Sequence, residues 1–237
     1  QVGDQVALGV FHNFFQNKIK ASAEVYYKWM DHAIDFKDDA ELLLNEHIEA
    51  ELRFGRAWAY GAEFMLKYQF EKFGGWVSYT YSHTEQKMSG INEGEAYLAP
   101  YDKPHDVSFI LNYQIAKRLA LGVTWVYSTG LPATFPQGMA EIHNQYVPLY
   151  SNRNQQRYPD YHRMDLSLTW DNKVGTIQRW NNRKFESSWN LSVYNAYNRH
   201  NAWAINFEQE KDNPSVIYGE KTYLFPILPT ITFNFKF

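Results

Sequence analysis

Two runs of alternating residues, joined by a short basic link, lie in the middle of the chain: Val107-Ser108-Phe109-Ile110-Leu111-Asn112-Tyr113-Gln114-Ile115, then Lys117-Arg118, then Leu119-Ala120-Leu121-Gly122-Val123-Thr124-Trp125-Val126-Tyr127. In both runs the odd-numbered side chains are apolar or aromatic. A period of two is that of a β-strand, in which successive side chains point to opposite faces. The sequence therefore predicts a β-hairpin with one apolar face, although Ile110 and Val126 depart from the alternation.

The same alternation recurs along the chain and predicts about nine strands, at roughly 5–15, 20–31, 54–70, 75–87, 104–116, 119–129, 162–172, 188–199 and 222–237. Several of these runs exceed the roughly five or six residues that are usual in soluble strands. They match the roughly 9–11 tilted residues that cross a bilayer. We expect the strands to pair as antiparallel neighbours in sequence order. The phase of the first strand stays open, because Val10 and Phe11 fit either face.

The connections between these strands alternate in length. The links near 16–19, 71–74 and 117–118 are short, the link at 173–187 is of medium length, and those at 32–53, 88–103, 130–161 and 200–221 are long. Outer-membrane barrels have short periplasmic turns and long extracellular loops. The sequence therefore predicts an all-β fold, a transmembrane antiparallel meander β-barrel. A soluble β-sandwich with one solvated face is the less favoured alternative.

Composition excludes several other classes of protein. The net charge is −3, which disfavours a nucleic-acid partner. The chain has no cysteine, so it has no disulfide framework, Cys-based zinc site or thiol nucleophile. It also lacks the roughly 18 consecutive apolar residues that a membrane-spanning helix needs. The aromatic content is 18%, and rings near the predicted strand ends suit a girdle at a membrane interface.

The alternation assigns side chains to two faces of the predicted barrel. One set should face lipid: Tyr27, Phe64, Leu66, Phe109, Leu111, Trp125, Leu168, Leu191 and Phe235. A second set should face the lumen: Glu24, Lys67, Asn112 and Asp165. Charged residues on the second face fit an aqueous interior.

The carboxy terminus carries the same pattern, with Ile231, Phe233, Phe235 and Phe237 on one face of the last predicted strand. This arrangement resembles the terminal signal that the barrel-assembly machinery reads in bacterial outer-membrane proteins. We therefore assign Phe233, Phe235 and Phe237 to an assembly signal, with Phe237 expected at the periplasmic rim.

Several ordered segments resemble the C-terminal β-barrel part of TonB-dependent outer-membrane receptors of the kind found in Bacteroidetes-type bacteria. They are Arg56-Ala57-Trp58-Ala59-Tyr60-Gly61-Ala62-Glu63, Tyr101-Asp102-Lys103-Pro104-His105-Asp106, Ser128-Thr129-Gly130-Leu131-Pro132, Tyr158-Pro159-Asp160-Tyr161-His162-Arg163-Met164-Asp165, Tyr194-Asn195-Ala196-Tyr197-Asn198-Arg199, and Phe225-Pro226-Ile227-Leu228-Pro229 through Phe237. Each segment alone is a weak signal. Their order and spacing, from about residue 54 to the end, make the resemblance fairly specific.

The resemblance implies a barrel of about 22 strands with a plugged lumen. We expect residues 1–237 to be the C-terminal portion of that barrel domain, about its last nine strands, with the plug domain and its TonB-contacting segment outside the chain. The implied location is the bacterial outer membrane. The implied partners are outer-membrane lipid, TonB through the missing plug domain, a small-molecule nutrient, and a possible surface lipoprotein, with no nucleic acid.

Signatures of catalysis and of metal binding are weak. The sequence lacks a phosphate-binding glycine loop, H-E-x-x-H and G-x-S-x-G, so we expect no enzyme activity, no catalytic residue and no cofactor. His105 with Asp106, and His162 near Asp165, are possible acid–base pairs, but hydrogen bonding at the strand ends is the favoured interpretation. None of the eight histidines has the i, i+4 spacing of a metal site, so we expect no metal.

Two long connections offer ligand-binding side chains. Rings together with amide and guanidinium groups supply flat stacking surfaces and directional hydrogen bonds. The candidate ligand-binding residues are Tyr146, Tyr150, Asn152 and Arg153 in one loop, and Trp203 and Tyr218 in the other. A loop that packs on itself is the alternative interpretation of the first set.

The resemblance implies a receptor and transporter that binds a scarce nutrient, such as a siderophore, haem or cobalamin, and imports it with energy derived from TonB. Three alternatives stay open. One is an oligosaccharide or peptide importer of the same fold that works with a surface lipoprotein. The others are a small outer-membrane barrel enzyme and a secreted β-sandwich that binds carbohydrate.

Overall fold

The computed structural model describes residues 1–38, 40–172, 178–180 and 183–236, without side chains at 178–180 and 183–185. Nine long strands form one antiparallel sheet: β1 (Val2–Phe14), β2 (Ile19–Phe36), β3 (Leu52–Gln69), β4 (Phe73–Met88), β5 (His105–Ala116), β6 (Leu119–Ser128), β7 (Tyr161–Asp171), β8 (Arg183–Tyr194) and β9 (Leu228–Lys236). Each strand pairs with the next along the chain, and β1 and β9 form the two edges. The predicted meander is confirmed, including the pairing of β5 with β6.

Several strand boundaries differ from those that the sequence predicts. Strand β2 continues past residue 31 because a bulge at His32, where φ is 56°, keeps it paired with β3. The predicted strand 188–199 ends at Tyr194, since Asn195 and Asn198 have φ values of 53° and 57°. The predicted last strand began too early: Ile217–Thr222 pairs with Ala204–Gln209 in a separate hairpin, and β9 begins at Leu228.

The sheet has one apolar and one polar face along its whole width. Leu66, Val77, Phe109 and Trp125 are directly paired across four strands, and the predicted lipid-facing residues all share that face. Glu24, Lys67, Asn112 and Asp165 lie on the opposite face, as predicted. Strand pairing also resolves the phase of β1, because Leu8 and Val10 fall on the apolar face opposite Val25 and Ala23.

No second sheet covers the apolar face in the described part of the chain. The predicted lipid-facing residues are exposed or half-buried, and none of them is buried. The remaining paired segments are short strands within the connections. A soluble sandwich would bury one face against a partner sheet, so this single-layer sheet does not fit that alternative. No helix among the described residues is long and apolar enough to cross a membrane.

Short and long connections lie at opposite ends of the sheet. The short-turn end has the connections 15–18, 70–72 and 117–118, and the connection 172–182 lies there too. The long-loop end has the connections 37–51, 89–104, 129–160 and 195–227. The long connections contain two single-turn helices (Ile48–Glu51 and Asn92–Gly94) and paired strands: Tyr97–Leu98 with β4, Pro132–Ala133 with Gln156–Arg157, Pro136–Ile142 with Gln145–Tyr150, and Ala204–Gln209 with Ile217–Thr222. At the other end Gln178–Trp180 pairs with β8.

A small apolar core lies at the long-loop end of β2–β4. It contains Ala33, Ala57, Met88, Ile91 and Tyr97, all at most 4% exposed. Burial and a hydrogen bond to Asp35 raise the pKa of the Tyr97 hydroxyl above its usual range. The 89–104 connection is therefore packed onto the sheet through Ile91 and Tyr97.

Candidate ligand site at the long-loop end

A cavity of about 630 Å³ opens on the polar face of the sheet at the long-loop end. We call it the rim cavity. Strands β5, β6 and β7 supply one wall, and the connections 89–104, 129–160 and 195–227 supply the mouth. Its lining includes Lys103, Asp106, Ser108, Val126, Ser128, Leu131, Tyr158, Tyr161 and Trp203.

Strand register places the wall residues of the rim cavity in adjacent rows. Asp106, Ser128 and Tyr161 are paired across three strands, and Ser108 and Val126 form the next row. These side chains all point to the polar face. The wall therefore offers a carboxylate, hydroxyls and one ring within a small area.

Gly130 permits the close chain approach that shapes the mouth of the rim cavity. A Cβ atom at this position would lie 1.7 Å from the carbonyl oxygen of Tyr158. The Tyr158 N–H donates to the carbonyl oxygen of Leu131 at 2.9 Å. Because only glycine fits there, Leu131 and Tyr158 are held side by side at the opening.

Asp160 fixes the same region through its carboxylate. It accepts a hydrogen bond from the Tyr127 hydroxyl at 2.7 Å and one from the Gly130 N–H at 3.1 Å. The Tyr127 hydrogen bond is the main cause that lowers the pKa of this carboxyl below its usual range, with the Gly130 N–H and the Arg199 charge acting in the same direction. Asp160 is therefore ionised at neutral pH and clamps the start of the 129–160 connection.

A buried ion pair joins two of the long connections behind the rim cavity. The Asp102 carboxylate has no exposed surface and accepts hydrogen bonds from Arg157 and from the Thr84 N–H at 2.6 Å. Arg157 also donates to the carbonyl oxygens of Asp102 and Gly130 at 3.1 and 3.0 Å. The 129–160 connection is thus fastened to the 89–104 connection.

Arg153 fastens the 129–160 connection to a third loop. Its guanidinium donates to the Phe36 carbonyl oxygen at 2.6 Å and to the carboxylates of Asp35 and Asp38 at 3.2 and 3.3 Å. It also lies 5.6 Å from the centroid of the Tyr97 ring. Arg153 therefore has protein partners on several sides in this structure.

A second cavity, of about 590 Å³, lies beside Arg153. We call it the loop cavity. Lys37, Asp38, Asn92, Glu93, Tyr150, Asn152 and Arg153 contribute to its lining. More of its lining side chains are polar or charged than in the rim cavity, and it lies between the connections 37–51, 89–104 and 129–160.

Comparison with known proteins decides the family. The family described as TonB dependent receptor-like, beta-barrel matches residues 1–198. The chain belongs to this family. A comparison with curated protein sequences gave no match.

Solved structures agree with the family assignment at the level of the fold. The ferripyoverdine receptor of the outer membrane of Pseudomonas aeruginosa superposes with a TM-score of 0.57 at 10% identity, covering 98% of this chain and 26% of that one. The ferric-catecholate import receptor Fiu from E. coli K12 gives a TM-score of 0.57 at 13% identity over 98% and 27% of the two chains. The ferric citrate transporter FecA gives 0.56 at 13% identity over 98% and 31%.

This receptor chain therefore spans between a quarter and a third of the length of these solved relatives. The predicted resemblance is confirmed, and so is the antiparallel meander of the receptor barrel. Two of these relatives are described as receptors and the third as a transporter.

The structure divides the predicted ligand residues of the receptor chain among three places. Tyr150, Asn152 and Arg153 line the loop cavity. Trp203 lines the rim cavity and is 67% exposed. Tyr146 and Tyr218 lie on the two loop hairpins, which are joined by a hydrogen bond from Gln209 to the Tyr146 carbonyl oxygen at 2.9 Å. The six residues do not form one cluster.

Several rim-cavity residues were absent from the predicted ligand set. Leu131, Tyr158 and Tyr161 lie within segments that carried the family resemblance, and Asp106 belonged to a suggested acid–base pair. Asp106 and Tyr161 lie at the long-loop ends of strands whose polar face is open, so the strand phase, followed to the strand end, would have included them. Leu131 and Tyr158 lie in the connection between β6 and β7, where strand phase gives no signal.

The suggested acid–base pairs do not form. His105 and Asp106 are consecutive strand residues, so they point to opposite faces. His105 is instead hydrogen-bonded to Tyr79 at 2.9 Å, and His162 to Tyr197 at 2.8 Å. Among the described residues, no group of three or more His, Asp or Glu is placed to hold a metal ion.

Phe233 and Phe235, two of the three proposed assembly residues, lie in the half of β9 nearer the short-turn end. Phe233 is paired opposite Trp189 with ring centroids 4.7 Å apart, and Phe235 continues the same apolar row. Phe237 lies outside the described residues. The assembly role stays a prediction for all three.

Proposed function

We propose that this chain is part of an outer-membrane receptor that binds a small nutrient and imports it with energy transmitted by TonB. Family membership and the barrel fold support the class of protein. On this proposal the short-turn end lies in the periplasm and the long-loop end outside the cell. The whole of residues 1–237 would belong to the barrel domain. Strand β9 lies after the residues that match the family, but it pairs with β8, which lies within them, over nine residue pairs.

The rim cavity is the observation that carries the ligand-binding part of the proposal. It lies on the polar face, which would line the conduit, and at the end from which a nutrient would arrive. Trp203, Tyr158 and Tyr161 supply ring faces, while Lys103 and Asp106 supply opposite charges. Pockets that combine rings with a few convergent polar groups are typical small-molecule sites.

We favour an iron–siderophore complex as the nutrient. Solved structures of the same fold are described as receptors for ferripyoverdine, ferric catecholate and ferric citrate. The loop cavity would add Tyr150, Asn152 and Arg153 to an extended ligand surface. TonB would act through a plug domain, and a surface lipoprotein could cover the loops if the ligand is instead an oligosaccharide or a peptide.

Uptake by cells tests this proposal directly. The full-length receptor would be expressed in a host without its own iron receptors, with and without TonB. Radiolabelled iron would be supplied as a catecholate, a hydroxamate and a citrate complex. We expect receptor- and TonB-dependent uptake of at least one complex. Absence of uptake for all three, with the receptor present in the outer membrane, would contradict an iron–siderophore role.

Trp203→Ala is expected to weaken binding of the transported complex by about 30-fold or more. The reason is that a tryptophan ring covered by a bound ligand commonly contributes about 2 kcal/mol or more. Trp189→Ala is the matched control, because Trp189 lies on the apolar face at the other end of the sheet. Titration of each inserted receptor measures the dissociation constants. Equal affinities for the two variants would remove the rim cavity from the ligand site.

A further inference from the structure

The two ends of the sheet carry opposite charge. The four long connections (37–51, 89–104, 129–160 and 195–227) hold fifteen Asp or Glu against seven Lys or Arg. The four short connections (15–18, 70–72, 117–118 and 172–182) hold six Lys or Arg against one Glu. The long connections therefore have an excess of eight negative charges, and the short connections have an excess of five positive charges.

Three short turns present these cations through one repeated backbone contact. In each turn a basic residue accepts a hydrogen bond from the end of the neighbouring strand: Lys18 from Gln69 at 2.7 Å, Lys72 from Gln114 at 2.6 Å, and Arg118 from Asp171 at 2.9 Å. The carbonyl oxygens of the basic residues are thus tied into the sheet, while their side chains extend from it. Lys18, Lys72 and Lys117 are exposed.

We call Lys18, Lys72, Lys117 and Arg118 the basic collar. Within the described residues, none of the four takes part in an ion pair. Ion pairs elsewhere in the described chain use Lys37, Arg56, Arg153, Arg157 and Arg163. The collar therefore keeps its charge available for a ligand outside this chain.

Arg118 shows to which side of the sheet the collar is directed. Its guanidinium carbon lies 5.7 Å from the centroid of the Trp170 ring. Trp170 is on the apolar face, is paired with Trp189, and is 54% exposed. The cation therefore lies over the face that would meet lipid, next to rings of the kind that mark a membrane interface.

We propose that the basic collar binds the phosphate groups of anionic phospholipids in the leaflet at the short-turn end. Cations beside an exposed tryptophan match a headgroup whose phosphate lies just above the acyl chains. The acidic long-loop end would repel the same groups, so the charge asymmetry would also fix the orientation of the barrel in the membrane. This inference rests on the outer-membrane location proposed above.

Lipid binding to the purified full-length receptor tests the inference. Phosphatidylglycerol and phosphatidylcholine with identical acyl chains would be titrated into receptor micelles, and bound lipid counted by native mass spectrometry. We expect wild-type receptor to prefer phosphatidylglycerol, and Lys117→Gln with Arg118→Gln to lower its affinity about 25-fold, at about fivefold for each cation. Arg118→Lys alone should retain most of the affinity, because the charge remains.

Matched controls decide the outcome. Lys211→Gln with Lys221→Gln removes two cations from the long-loop end and should leave phosphatidylglycerol affinity unchanged. A wild-type receptor that binds the two lipids equally, or a control variant that loses as much affinity as the collar variant, would overturn the inference. Lipopolysaccharide is titrated in the same way, and a collar variant that loses affinity for lipopolysaccharide but not for phosphatidylglycerol would also overturn the inference. Iron uptake by the same variants is measured separately, so failure of the transport proposal would be seen independently of lipid binding.

Discussion

Leu111→Arg is expected to destabilise the membrane-inserted barrel by about 2–4 kcal/mol, because it places a charge in the hydrocarbon near the middle of the bilayer. Leu111 lies on the apolar face between Gly75 of β4 and Val123 of β6. The measurement is unfolding of the full-length receptor in lipid vesicles by denaturant, compared with wild type.

Asn112→Arg is the matched control for this substitution. Asn112 is the next residue in the same strand, lies on the polar face and is exposed. We expect it to change the unfolding free energy by less than about 1 kcal/mol, since a charge is tolerated where water is present. If Asn112→Arg were as costly as Leu111→Arg, the assignment of the two faces would be wrong.

Arg157→Leu is expected to have the second large effect, a loss of about 3–5 kcal/mol in the local stability of the 129–160 connection. The substitution removes the cation from the Asp102 carboxylate, which has no exposed surface. Among the described residues, this carboxylate then keeps the Thr84 N–H at 2.6 Å and has the His83 ring nitrogen 4.0 Å away. A buried charge without its partner costs more than the pair contributed. Hydrogen exchange of the amides in 129–160 measures the change.

A double variant separates this mechanism from a simple loss of packing. Arg157→Leu combined with Asp102→Leu should cost less than Arg157→Leu alone, because no unpaired charge remains. Arg153→Leu should also cost less, since the side chains of its partners Asp35 and Asp38 are 19% and 53% exposed, whereas that of Asp102 is fully buried. A double variant with a larger loss than the single one would show that the charge is not the cause.

The strands of this receptor chain could be predicted because the alternation of apolar and polar residues determines where they lie. In a single-layer sheet every strand has an apolar and a polar face, so the period of two persists along β5, β6 and β7. Their registers and faces then follow from short turns such as 117–118. The bulge at His32 could not be predicted, because pairing with β3 rather than local sequence keeps β2 extended.

The ligand site was harder to predict because its contacts join distant parts of the sequence. Arg153 has the composition of a ligand-binding residue, yet it bonds to Asp35 and Asp38, which are 118 and 115 residues away. Tyr158 reaches the rim cavity only because Gly130 allows a close chain approach. Such contacts depend on loop packing, which no local period encodes.

We expect one face of this sheet to meet lipid and the other to line an aqueous conduit. The chain has no cysteine, so single cysteines can be introduced at Leu166, Ser167, Leu168 and Thr169 along β7 once any cysteine elsewhere in the full-length receptor has been replaced. A charged, water-soluble thiosulfonate would be applied to cells that express the full-length receptor. We predict modification at 167 and 169, on the polar face, and protection at 166 and 168, on the apolar face. Equal reactivity at all four positions, or the reverse pattern, would contradict it.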